Sequence, residues 1–131
     1  MEVNYVQMRE LKVGRYVVID GEPCKIVEID TSAPGKHGAA KMRVVGIGLF
    51  DNQKRTLLKS SDAEVEIPVI NKINAQVVSV RENTAQVMDL TNYQIYELPI
   101  PEDQKENIKP GVNVELIECL GKRAIFRVLG R

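Results

Sequence analysis

Apolar and polar residues alternate along this chain in short runs, and almost nowhere recur at the three-to-four spacing of an amphipathic helix. The clearest run, Ala63-Glu-Val-Glu-Ile67, alternates apolar with acidic side chains, as a strand buried on one face requires. Comparable runs predict strands at 16–20, 24–30, 40–47 and 55–59, with Asp20-Gly21 as a two-residue hairpin turn between the first two. Lys41-Met-Arg-Val44 alternates as well, which sets Lys41 and Arg43 on the face opposite Met42 and Val44. Five short strands in about 68 residues fit a small β-barrel better than a helical or α/β unit.

Pro68 interrupts this series and a second one follows. It predicts strands at 74–80, 84–89, 94–98, 112–119 and 123–128, with hairpin turns at 81–83 and 120–122. The acidic segment 101–107, ended by Pro110-Gly111, reads as one short helix between the third and fourth of these strands. Five strands with a helix in that place is the order of an OB-fold. The expected fold class is therefore all-β, with two small barrels. The first covers 1–68 and the second, carrying the short helix, covers 69–131.

Composition changes this picture little, but the distribution of charge changes it more. The apolar 44% and charged 27% are ordinary for a folded domain, and 18 basic residues balance 18 acidic ones. Residues 31–59 nevertheless hold Lys36, Lys41, Arg43, Lys54, Arg55 and Lys59 against Asp51 alone. Such a segment suits a polyanionic partner such as RNA, although solvated strand edges collect lysines too. The longest charge-free apolar run, 44–50, is far too short to span a bilayer, and the N-terminus shows no apolar leader, so a cytoplasmic protein is expected. Cys24 and Cys119 both sit in apolar strand contexts and are expected as buried free thiols, not a disulfide.

No catalytic constellation assembles. The single histidine, His37, excludes a His-based metal cluster, and a Cys24–His37 pair lacks an orienting third residue. Pro34-Gly-Lys-His departs from a phosphate loop, which needs Ser or Thr after the lysine and a further upstream glycine. Aromatics are scarce at 5%, so Tyr93, Tyr96 and Phe126 read as barrel core and rim rather than a base-stacking platform. What stands out is Thr31-Ser-Ala-Pro-Gly-Lys-His-Gly-Ala-Ala-Lys41. Pro34 stiffens the approach, Gly35 and Gly38 bracket Lys36-His37, and β-like sequence lies on both sides. The expected result is a tight exposed loop that holds one long cationic side chain outward.

That segment, extended upstream to Cys24-Lys-Ile-Val-Glu and downstream to Val45-Gly-Ile-Gly-Leu-Phe50, resembles the translation initiation factor 5A family, relatives of bacterial elongation factor P. The length is similar to that of archaeal members. The resemblance implies an SH3-like N-terminal barrel followed by an OB-fold. It also implies that Lys36, in the loop of Pro34, Gly35, His37 and Gly38, is the lysine converted to hypusine or deoxyhypusine. Deoxyhypusine synthase would transfer an aminobutyl group from spermidine, using NAD, so this chain is a substrate that itself binds no cofactor or metal. The family role is to bind the ribosome near the peptidyl-tRNA acceptor end, where it promotes peptide-bond formation on stalled, proline-rich peptides and assists termination. Lys41, Arg43, Lys54, Arg55 and Lys59 are then candidate phosphate contacts on rRNA or tRNA, the protein is expected to be a monomer, and no membrane is involved. Ala39 and Ala33 depart from the eukaryotic pattern, which leaves hypusine against deoxyhypusine open. The alternative is a generic RNA-binding or ribosome-associated module in which the basic patch matters and no single lysine does.

Overall fold

The computed structural model describes residues 3–32 and 38–130. The chain divides into two compact units, Met1–Val69 and Ile70–Arg131.

The N-terminal unit contains six strands among the described residues, one more than the hydrophobic pattern predicts. They are β1 (Val3–Gln7), β2 (Tyr16–Ile19), β3 (Glu22–Thr31), β4 (Lys41–Gly48), β5 (Lys54–Ser60) and β6 (Glu64–Pro68). β1 has no clean alternation and no turn signal around it; it exists because it pairs antiparallel with β6, Val3 opposite Pro68. Pro68 therefore ends a strand instead of breaking the pattern before one. β2, β3, β4 and β5 form a four-stranded antiparallel sheet in chain order. Met8, Val17, Ile19, Cys24, Ile26, Val44 and Val65 are buried together between the two sheets. The β2–β3 turn has Asp20 and Gly21 both at positive φ, 52° and 78°, the conformation that matches the twist of a tight hairpin.

The second unit is one curled sheet in the order β11-β10-β7-β8-β9. Its strands are β7 (Asn71–Arg81), β8 (Thr84–Asp89), β9 (Ile95–Pro99), β10 (Asn113–Cys119) and β11 (Lys122–Gly130). This is the strand order expected of an OB-fold. The protein is all-β, and the helix expected at 101–107 is a single 3-10 turn, Glu102–Gln104. Between Pro101 and Pro110 there is too little chain to offset the cost of nucleating an α-helix. The segment instead drops Ile108 into the core beside Val77, Val87, Val114 and Leu116.

The edge strands β9 and β11 approach each other without a backbone ladder, and side chains bridge the seam. The Arg123 guanidinium lies 4.3 Å from the Tyr96 ring centroid, with its Nε 2.7 Å from Glu118 Oε2. Gln104 Nε2 donates to the Phe126 carbonyl at 3.1 Å. Tyr96 thus packs against the core, whereas Tyr93 is exposed in a turn at φ 63°.

Candidate functional site

Pro34, Gly35, Lys36 and His37 lie outside the described residues, so the geometry of the site is that of the loop's root. β3 and β4 emerge into the loop as a paired hairpin whose last register pair is Thr31 opposite Met42. One further bond, Ser32 N–H to the Lys41 carbonyl at 2.8 Å, carries the ladder past the strand ends. A second tie comes from the β5–β6 turn, where Ser61 N–H donates to the Ala40 carbonyl at 2.7 Å. Ser61 in turn accepts from Arg9 N–H at 3.0 Å, and Met8 N–H donates to the Ala63 carbonyl at 2.9 Å. These bonds fasten the root from two directions. Gly38 sits at φ 125° with open space where a Cβ would stand, so glycine is required there by backbone conformation and not by crowding.

The five candidate phosphate contacts do not form one surface. β4 and β5 pair without a register shift, from Lys41 opposite Ser60 to Ile47 opposite Lys54. Strand alternation therefore sets Lys41, Arg43 and Lys54 on one face and Arg55 and Lys59 on the other. They also separate along the strands. Lys41 and Lys59 flank the loop root, whereas Lys54 and Arg55 stand at the far end of the hairpin, about 20 Å away at 3.3 Å per residue. Lys41, Lys54 and Lys59 are exposed and carry no ion pair among the described residues.

The two arginines are committed elsewhere. Arg43 Nη2 lies 2.5 Å from Asp30 Oδ2 and 2.6 Å from Glu28 Oε2. Hydrogen bonds to Asp30 and then Glu28 raise its pKa above the ordinary arginine value. Arg55 grips Asp51 with both nitrogens, Nη1 to Oδ1 at 3.0 Å and Nη2 to Oδ2 at 2.7 Å. The net positive count of residues 31–59 is thus partly cancelled by β3 acids that a segment count leaves out. Glu28 and Asp30 are the partners of Arg43 that sequence reasoning missed. Their signal was two acids at i and i+2 on a strand preceding a basic alternating strand.

The Asp51–Arg55 pair closes the β4–β5 turn over Gly48, where an added Cβ would collide with the pair itself. Hydrogen bonds from Arg55, then from Gln53 N–H, hold the Asp51 carboxyl down at about 2, against 3.8 ordinarily. A lowered carboxylate pKa stabilises the fold above the unfolded value, and that contribution disappears as pH falls from about 4 through about 2. Asp51→Asn is therefore expected to lower the thermal midpoint by a few degrees at pH 7, with parent and variant converging near pH 2. A difference that persists unchanged into strong acid would contradict this. Beneath the pair, Cys24 is fully buried, and its thiol pKa is pushed up by desolvation with Arg55 acting in the opposite direction. Both cysteines are buried free thiols.

Among the described residues no group of three or more His, Cys, Asp or Glu side chains is placed to hold a metal ion. No helix among them is long and apolar enough to cross a membrane.

A family model described as "Translation initiation factor 5A-like, N-terminal" matches residues 3–63. The Translation initiation factor 5A of Methanothermobacter thermautotrophicus is 49% identical over 130 residues, covering 99% of this chain and 100% of that protein. The chain belongs to the translation initiation factor 5A family. Its Methanopyrus kandleri relative is 52% identical, covering 96% of this chain and 94% of that protein. A solved structure of the factor 5A from Methanococcus jannaschii superimposes with a TM-score of 0.90 at 46% identity, covering 97% of this chain and 95% of that one. A family protein from Naegleria fowleri gives 0.78 at 28% identity, covering 98% and 99%. As a factor 5A family member the chain has a role in protein biosynthesis as a translation factor. Within that family setting, residues 32–40 connect the two longest strands of the N-terminal unit, β3 and β4.

Proposed function

We propose that this chain acts in the cytoplasm on the ribosome through a hypusine or deoxyhypusine side chain at Lys36, promoting peptide-bond formation on stalled peptidyl-tRNA. The observation that carries this reading is the Gly35-Lys-His-Gly38 motif between β3 and β4 in a chain of this family, above a root fastened by β3–β4 pairing and the Ser61 tie. Aminobutylation of Lys36 by deoxyhypusine synthase, with spermidine as donor, lengthens the side chain and gives it two cationic centres. Two charges on a thin chain can lie along the phosphates of a tRNA acceptor end. Ordering a lysine costs on the order of 2 kcal/mol of rotamer entropy, and more for the longer arm, so RNA contact has to offset it. A rigid root helps, because only the arm then remains to be ordered. Positioning of the stalled substrate, rather than proton transfer, supplies the rate gain.

Lys41 and Lys59, exposed beside the root, are the phosphate contacts this reading favours among the five cations. The protein works as a monomer on this account. A generic module reading from the basic residues by graded charge is less well supported, since Arg43 and Arg55 are already paired. The direct test is intact mass of the protein from its native source, with fragmentation of the loop peptide. An aminobutyl addition on Lys36 is expected; unmodified lysine there would overturn the proposal.

A further inference from the structure

We infer that Glu28 and Asp30 mask Arg43, withholding its guanidinium from polyanions so that phosphate contact at the loop end of the sheet is left to Lys41 and Lys59. This deepens the reading of the loop as an RNA-contacting element and rests on it. Asp30 stands directly opposite Arg43 in the β3–β4 register, and both of its salt-bridge acids come from β3. Two carboxylates against one guanidinium leave the pairing net negative. To meet a phosphate, Arg43 has either to release the two charge-assisted bonds of Nη2 or to offer Nε and Nη1, and in both cases the phosphate has to stand beside two carboxylates. Lys41, two residues nearer the loop on the same face, meets neither obstacle among the described residues. The sheet surface then contributes little sequence-independent affinity, and selectivity stays with the loop, since backbone phosphate contacts carry no information about the target.

The experiment measures binding of a short oligouridylate across a salt series, using the recombinant chain with Lys36 unmodified in every variant. Glu28→Gln with Asp30→Asn is expected to bind severalfold tighter at low salt and to steepen the log–log salt slope by about 0.7, one single-strand phosphate contact. Adding Arg43→Gln to that pair abolishes the gain. Arg43→Gln in the parent leaves the slope unchanged, whereas Lys41→Gln lowers it. Glu64→Gln with Glu66→Gln removes two exposed acids elsewhere in the same unit and controls for net charge. The inference is overturned if the Glu28/Asp30 variant matches this control or binds no oligouridylate. It is equally overturned if Arg43→Gln in the parent costs as much as Lys41→Gln. Because the bridges are solvent-exposed, melting temperatures stay within a few degrees of the parent, which separates binding from unfolding. Failure of the functional reading shows separately, as plain lysine at position 36 in native protein, and does not alter these titrations.

Discussion

On the proposed function, Lys36→Arg is expected to yield a folded protein that no longer accelerates peptide-bond formation on proline-stalled ribosomes. Arginine preserves the positive charge and much of the side-chain length at position 36, so electrostatic attraction to RNA is nearly unchanged. It lacks the primary amine that accepts an aminobutyl group, and the second cationic centre is never installed. If the modified arm acts by positioning, the loss is about a hundredfold, the scale on which a misplaced reactant is penalised. Reconstituted translation of a proline-rich template, with factor first treated with synthase and spermidine, measures it. Activity equal to the parent's would show that charge at position 36 suffices, and would favour the graded basic module.

Gly46→Ala is expected to produce the largest loss of stability from a single added methyl group. A Cβ at this position would lie 2.8 Å from Cys24 Cβ and 3.3 Å from Ile19 Cδ1. Cys24 Cβ is fixed to the backbone of β3, which pairs with β4 at Ile26 opposite Gly46, so no side-chain rotation relieves the overlap. Overpacking of this kind costs about 1–3 kcal/mol, a large share of the 5–15 kcal/mol that typically separates folded from unfolded states. Gly48→Ala is expected to cost less, because the atoms it meets are the mobile ends of Asp51 and Arg55. Denaturant titrations compare the two. Cys24→Gly, combined with Gly46→Ala, removes the opposing Cβ and should recover part of the loss, measured as a coupling energy in a double-mutant cycle. A Gly46→Ala protein as stable as the parent would mean that β3 and β4 do not approach this closely.

The elements with strong local signals were legible before folding. β8 was expected at 84–89 and spans Thr84–Asp89, and the Asp20-Gly21 turn adopts the positive-φ pair its residues favour. β1 was not legible, since its reason for being a strand is a partner some sixty residues away. The short helix failed for the opposite reason: acidic composition favoured it locally, but Pro101, Pro110 and the demand to bury Ile108 left one 3-10 turn. At the candidate site, the glycine-bracketed lysine and the flanking residues 24–50 carry the resemblance to the factor 5A family, and the chain belongs to that family. The apparent basic patch was a different matter. Segment counting treats charges adjacent in sequence as adjacent in space, and on paired strands that is wrong by a whole face.

By itself the sequence determined that this protein is all-β, which turns its strands use, and which lysine stands between glycines in the segment joining β3 to β4. Those properties are local: alternation, torsional preference and spacing are written within a few residues of one another. Only the tertiary structure decided which cations remain available. Antiparallel register sets Asp30 across from Arg43, the turn folds Asp51 back onto Arg55, and Lys41 and Lys59 are left beside the loop root. Charge interactions depend on distance through space, and that distance is fixed by pairing between strands rather than by order along the chain.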